Sequence, residues 1–133
     1  MTKFTLPDQA GIIPFQGIET LIATGAITSQ TPFDSDQVQP ASLDLRLSDV
    51  AWRVRASFLP GKRKVEDRIR DVAMHTVDLS GGYVLEKGCV YIARLQEHLS
   101  LPKGLNARAN PKSSTGRVDV SVRLLTDQGQ SFD

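Results

Sequence analysis

Apolar positions in the first third of the chain follow two different periods. Phe15, Ile18, Leu21 and Ile22 recur at helical spacing, Pro14 suits a first turn and Gly25 suits a C-terminal stop, so an amphipathic helix is expected from Gly11 to Gly25. From Gln39 to Leu47 the period drops to two. Leu43, Leu45 and Leu47 alternate with Ser42, Asp44 and Arg46, the pattern of a strand with one buried face. Between these segments, residues 26–37 carry Thr31-Pro32 and Asp34-Ser35-Asp36 and read as a loop.

Further along, Ala51-Trp52 and Val54 let Val50–Phe58 continue as strand. Pro60–Asp71 is the most charged stretch, with Val65, Ile69 and Val72 at helical spacing, and predicts a short surface helix or an ordered loop. From Thr76 the pattern becomes short strands separated by turns. Strands are expected at Thr76–Leu79, Tyr83–Leu85, Cys89–Leu95, Leu105–Ala109 and Val118–Leu125. The turns are Ser80-Gly81-Gly82, Glu86-Lys87-Gly88 and Leu101-Pro102-Lys103-Gly104. Many short strands with Gly and Pro turns predict a mainly β sandwich or barrel rather than a parallel α/β sheet. No internal repeat or low-complexity tract interrupts the pattern.

Length and charge narrow the field. A chain of 133 residues with 40% hydrophobic content fits one domain. The net charge of +1 is spread over interspersed acids and bases, so neither a nucleic-acid nor a membrane partner is indicated. The run Lys62-Arg63-Lys64 is offset by Glu66, Asp67 and Asp71 and reads as a solvated face. The N-terminus is polar and broken by Pro7, and no apolar run is long enough to span a bilayer. Cys89 is the lone cysteine, so no intramolecular disulfide can form. Its apolar flanks predict a buried strand thiol of a reducing compartment, which points to the cytoplasm. The last residues, Thr126–Asp133, form a polar loop leading to no further element. The domain, residues 1–133, is therefore expected to be incomplete at its C-terminus.

Several chemistries are excluded. Cys89, His75 and His98 are scattered and have no metal-ligand spacing. A zinc nucleobase deaminase needs H-x-E followed by P-C-x-x-C, which one cysteine cannot supply. Neither G-x-S-x-G nor a P-loop or dinucleotide fingerprint is present.

Two segments remain. Ala109-Asn110-Pro111-Lys112-Ser113-Ser114-Thr115-Gly116-Arg117 joins two predicted strands and places a cation, three hydroxyls and backbone N–H groups between Pro111 and Gly116, closed by Arg117. Such groups suit a phosphate chain, although a hydroxyl-rich hairpin turn has the same composition. Gln39-Pro40-Ala41-Ser42-Leu43-Asp44-Leu45-Arg46-Leu47 puts Asp44 and Arg46 on one strand face, which alone could be a solvated face with a weak ion pair.

In order and spacing, these segments resemble the dCTP deaminase/dUTPase superfamily, and its dCTP deaminase branch in particular. The likeness also runs through the helix ending at Gly25, Gly82–Gly88, Tyr91–Arg94 and the Leu99–Pro102 turn, and leaves only Arg53–Val77 uninformative. The resemblance implies a distorted jelly-roll or β-barrel of the dUTPase-like type with a short N-terminal helix. It implies a homotrimer with nucleotide sites at subunit boundaries, or a tandem of similar domains imitating one. Its chemistry would be the hydrolysis of dCTP to dUTP without zinc, with Mg²⁺ accompanying the triphosphate.

On that model Ser113 helps place the attacking water, Arg117 supports the reaction centre, and Lys112 and Ser114 contact phosphate oxygens. Asp133 meets the deoxyribose. Attack at C4 of cytosine needs an activated water and a proton for the departing amine, and a carboxylate of raised pKa can serve both in turn. The family's glutamate for this step would lie beyond Asp133, and Glu86 and Glu97 are poor substitutes. The chain departs from the family at Lys112, where arginine is usual, and at Asp119, which replaces a small or apolar residue. A point charge thus stands where a bidentate clamp is expected. Two alternatives stay open: a dUTP diphosphatase or bifunctional dCTP deaminase/dUTPase, and a non-catalytic nucleotide-binding or assembly domain.

Overall fold

The structure, a computed structural model, describes Thr5 and residues 10–126. The chain divides into two compact units. The described residues up to Asp44, with Leu99–Leu124, form the first; Leu45–His98, with residues 125 and 126, form the second.

In the first unit, helix α1 spans Phe15–Ala23 with Pro14 as its N-cap. The helix begins four residues later than its apolar period suggests, because a residue preceding proline is disfavoured in the α region. The Phe15 N–H donates to the Pro40 carbonyl at 2.9 Å, which satisfies a donor that a helix start leaves over. At the other end Gly25 takes φ +77°. Its N–H donates to Ile22 O at 3.0 Å and that of Ala26 to Leu21 O at 2.9 Å, a Schellman closure that needs a left-handed residue. The expected apolar stripe is buried at Ile18 and Leu21. Helix α1 lies against strand β1 (Ile27–Ser29) and the short strands β2 (Val38–Gln39) and β3 (Ser42–Leu43). Ile27 and Leu99 complete the buried apolar set of this unit.

The single strand expected over Gln39–Leu47 is instead a hairpin followed by a link. β2 and β3 pair antiparallel, Val38 opposite Leu43 and Gln39 opposite Ser42, around Pro40-Ala41. Pro40 has no N–H for a ladder and a φ suited to a turn, so it breaks the run where the alternating pattern continues. Of the leucine face, Leu43 and Leu45 are half-buried and Leu47 is exposed. Gln37, buried, braces the hairpin. Its side-chain Nε2 donates to Asp44 O at 2.8 Å and its carbonyl accepts the Asp44 N–H at 2.9 Å.

The second unit is built on an antiparallel sheet in the order β5–β4–β6, from β4 (Leu47–Val54), β5 (Ala73–Asp78) and β6 (Val90–Leu95). Strand β4 is its centre; it carries Ala51-Trp52 and Val54, from which a strand is expected over Val50–Phe58, but it starts at Leu47 and ends at Val54. Helix α2 (Val65–Val72) lies against β4, with Glu66 and Asp67 in its first turn and Arg70 in its last, each sign matched to the helix dipole. The buried apolar residues are Ala51, Val54, Ile69 and Val77. Arg94 stacks over Trp52, 5.7 Å from the ring centre, and pairs with Glu66. No helix among the described residues is long and apolar enough to cross a membrane.

Three expected strands do not form. Tyr83–Leu85, Leu105–Ala109 and residues 118–125 take no ladder position, and Val84, Val118 and Val122 are exposed. Alternation alone does not make a strand; cross-strand partners do, and the described residues supply none to these segments. Cys89 precedes β6 and is half-buried rather than a buried strand thiol. Its Sγ accepts from Arg53 Nη2 at 3.0 Å, and Arg53 also pairs with Glu86 at 2.7 Å.

A strand that was not among those expected, β7 (Glu97–Leu99), carries the most buried charge among the described residues. The Glu97 side chain is fully enclosed, and Arg46 meets it twice, Nε to Oε1 and backbone N to Oε2, both at 2.8 Å. Removing the guanidinium would take the Arg46 counter-charge from a buried carboxylate, so Arg46→Ala is expected to cost about 3–5 kcal/mol of unfolding free energy. Denaturant titration of wild type and variant reads this directly. A change below about 1 kcal/mol, the scale of an exposed pair, would contradict it.

Candidate active site

The hydroxyl-rich segment is neither strand nor hairpin. Ser113–Gly116 form one helical turn, α3, with Lys112 as N-cap and Arg117 as C-cap. The Thr115 and Gly116 N–H groups both donate to Lys112 O at 2.9 Å, and Arg117 N–H donates to Ser113 O at 3.0 Å. Asp119, at φ +60°, ends the turn in the left-handed region. Aspartate tolerates that conformation better than most residues. The unexpected acid at this position therefore has a local backbone role.

A helical turn sets directions that a hairpin would not. Ser113 and Arg117, four residues apart, share one face, and Ser114 is turned roughly 100° away. Lys112, Ser113, Ser114 and Arg117 are all exposed. Neither serine hydroxyl takes a hydrogen bond within the protein among the described residues, which leaves both available to a ligand. Asp133 lies outside the described residues.

Lys112 is engaged. Its Nζ lies 2.6 Å from Asp44 Oδ2, with the lysine side chain mostly exposed and the aspartate about one-third exposed. The Asp44 hydrogen bond and charge, with a smaller contribution from Asp36, hold the Lys112 ammonium above its ordinary pKa. The two segments singled out by sequence thus meet at this contact. Asp44 and Arg46, expected to form one polar face, instead diverge: Asp44 holds Lys112 and Arg46 holds Glu97.

Two further carboxylates singled out by sequence, Glu97 and Glu86, are also committed. Glu97 is enclosed with Arg46, and Glu86 sits with Arg53 and Cys89. The burial of Glu97 had a sequence signal, since Leu95, Glu97 and Leu99 share one period-two face. No group of three His, Cys, Asp or Glu side chains among the described residues could hold a metal ion.

The family model for the 2'-deoxycytidine 5'-triphosphate deaminase (DCD) N-terminal domain matches residues 9–133. The chain belongs to that family. It is similar in structure to 2'-deoxycytidine 5'-triphosphate deaminase from Agrobacterium tumefaciens, with a TM-score of 0.86 and 53% identity over 92% of this chain and 36% of that one. The fold is therefore mainly β and dUTPase-like, as expected from the sequence.

Among curated relatives, the dUMP-forming dCTP deaminase of Coprothermobacter proteolyticus is 30% identical over 108 residues, 79% of this chain and 56% of the relative. The dUMP-forming enzyme of Methanobrevibacter smithii is 28% identical over 85% of this chain and 59% of its own length. The dCTP deaminase of Haloarcula marismortui is 32% identical over 70% and 50%. The chain thus spans between half and three-fifths of these relatives.

The raised Lys112 pKa gives the contact a direct spectroscopic test. The favourable interaction is present below the ordinary lysine value and is lost only as pH rises through the higher folded value. Titration of the Lys112 side-chain resonance is expected to show a midpoint above the ordinary lysine range, falling towards it in Asp44→Asn. An ordinary midpoint in the native protein would show that the pair does not persist in solution.

Proposed function

We propose that this chain contributes the phosphate-binding and water-positioning segment of an enzyme that deaminates dCTP to dUTP. The observation that carries the reading is the turn Lys112–Arg117, which offers two cations and two serine hydroxyls that take no hydrogen bond among the described residues. It lies within a chain of the deaminase family, 53% identical to a structure so named.

In this reading Lys112 and Ser114 contact triphosphate oxygens. A point-charge ammonium with three donors can meet an anion while keeping one bond to Asp44. Ser113 holds the attacking water, and Arg117, on the same face, stabilises charge that develops on the pyrimidine as C4 becomes tetrahedral. Asp133 is assigned the deoxyribose. The carboxylate that takes the water's proton and returns it to the departing amine is assigned to the part of the family's length that this chain does not span. Glu97, Glu86 and Asp44 are each paired with a cation.

Mg²⁺ fits as a companion of the triphosphate. This ion is usually held through phosphates and one or two carboxylates rather than by a protein cage, and the described residues present no such cage. Its chemistry when bound would be to neutralise phosphate charge. Zinc has no role in this reading. The assembly we assign is a homotrimer or a tandem imitating one, in the cytoplasm.

A second reading is a bifunctional enzyme that continues to dUMP. It is favoured by the dUMP-forming names of two relatives near 30% identity. Incubating the full-length protein with dCTP and Mg²⁺ and separating the products distinguishes the two. Accumulating dUTP supports the first reading, and dUMP with pyrophosphate supports the second. Neither product from dCTP would leave a dUTP diphosphatase, which dUTP as substrate reveals by release of dUMP and pyrophosphate, or a nucleotide-binding or assembly role.

In the active protein Arg117→Ala is expected to lose about 2–4 kcal/mol of transition-state stabilisation, the scale of one preorganised donor. Ser113→Ala should remove most turnover while nucleotide binding stays measurable. Wild-type rates in both variants would take the turn out of the mechanism.

A further inference from the structure

From Leu101 to Thr126, every hydrogen bond among the described residues is local except one. Leu105 bonds to Pro102, and the bonds of residues 112–120 stay within that stretch. The exception is Lys112 Nζ to Asp44 Oδ2, across 68 positions of sequence. Among the described residues, the turn that presents Ser113, Ser114 and Arg117 therefore has a single hydrogen-bonded connection to the rest of its unit. Its anchor is fixed from behind: the backbone of Asp44 both donates to and accepts from the buried Gln37. An exposed lysine on a locally bonded turn thus meets a carboxylate whose backbone is held at two points.

We propose that Asp44 is a positioning residue of the active site, which through Lys112 sets the orientation of the 112–117 turn. The proposal rests on the deaminase reading above. Asp44 touches no reacting atom; it acts through Lys112. The constraint lies at the N-cap, so it governs where the whole turn points. Ser113 and Arg117 would feel its loss together with Lys112. Because the tie is an exposed ion pair, its removal should cost the fold little while misplacing the reactive groups, and small misplacements are costly to a rate.

The test is a double-mutant cycle in the full-length protein using Asp44→Asn, Lys112→Gln and the pair together, with dCTP as substrate. Asp44→Asn is expected to lower kcat at least tenfold with Tm shifted by no more than a few degrees, and Asp44→Glu to recover part of the loss. The double variant should be no slower than the worse single variant, since the two side chains act as one device. Losses that multiply would overturn the proposal, as would a wild-type kcat in Asp44→Asn or a fall in activity that only tracks a large loss of Tm.

Amide hydrogen exchange without nucleotide reads the tether independently of turnover. Faster exchange at Thr115, Gly116 and Arg117 in Asp44→Asn supports it, and unchanged exchange overturns it. If wild type does not deaminate dCTP, the deaminase reading fails on that result alone, and the exchange measurement still decides whether the tether exists.

Discussion

Much of the candidate site depends on how one side chain amide is satisfied. Gln37 is buried, and an amide in that position needs partners for its donors and acceptor. It finds one at the Asp44 carbonyl and, through its own backbone, another at the Asp44 N–H. These bonds fix the residue just after the β2–β3 hairpin. Lys112 then meets the fixed carboxylate, and the helical turn follows Lys112. A core requirement is thereby carried outward, in three steps, to groups that face solvent.

The second unit solves a different electrostatic problem. Its enclosed Glu97 is made tolerable by Arg46, which supplies both a guanidinium and a backbone N–H. A buried pair of this kind gives little net stability over an apolar filling, yet it is costly to break from one side. It also withdraws from chemistry an acid that might otherwise look available. The Arg53–Glu86–Cys89 contacts do the same for Glu86. Glu97 and Glu86 are thus held in ion pairs with Arg46 and Arg53.

Local patterns were legible and long-range ones were not. The helix face of Ile18 and Leu21 is a matter of spacing within one element, and its glycine stop depends on a single φ, so both could be read directly. Helix α2 is one of the two forms, a short surface helix or an ordered loop, that the same kind of spacing allows for Pro60–Asp71. Strands at Leu105–Ala109 and 118–125 were expected from alternation, but a strand exists only beside a partner, which alternation does not identify. The chemistry of Pro111–Arg117 was legible from residue type, whereas its helical shape was not: hydroxyls, Pro and Gly suit a tight turn of several kinds. That Asp44 would hold Lys112 could not be read at all, because nothing in a chain announces a contact across 68 positions. Family membership came through because two weak motifs in the right order constrain more than either alone.

The central claim is that the 112–117 turn receives the nucleotide. A crystal structure of the full-length Ser113→Ala variant with dCTP and Mg²⁺ tests it most directly. The account expects triphosphate oxygens within hydrogen-bond reach of Lys112 and Ser114, with the pyrimidine C4 facing Ala at position 113 and the Arg117 guanidinium. A nucleotide seated elsewhere, for example in the groove lined by Trp52, Glu66, Ile69 and Arg70, with the 112–117 turn bare, would contradict it.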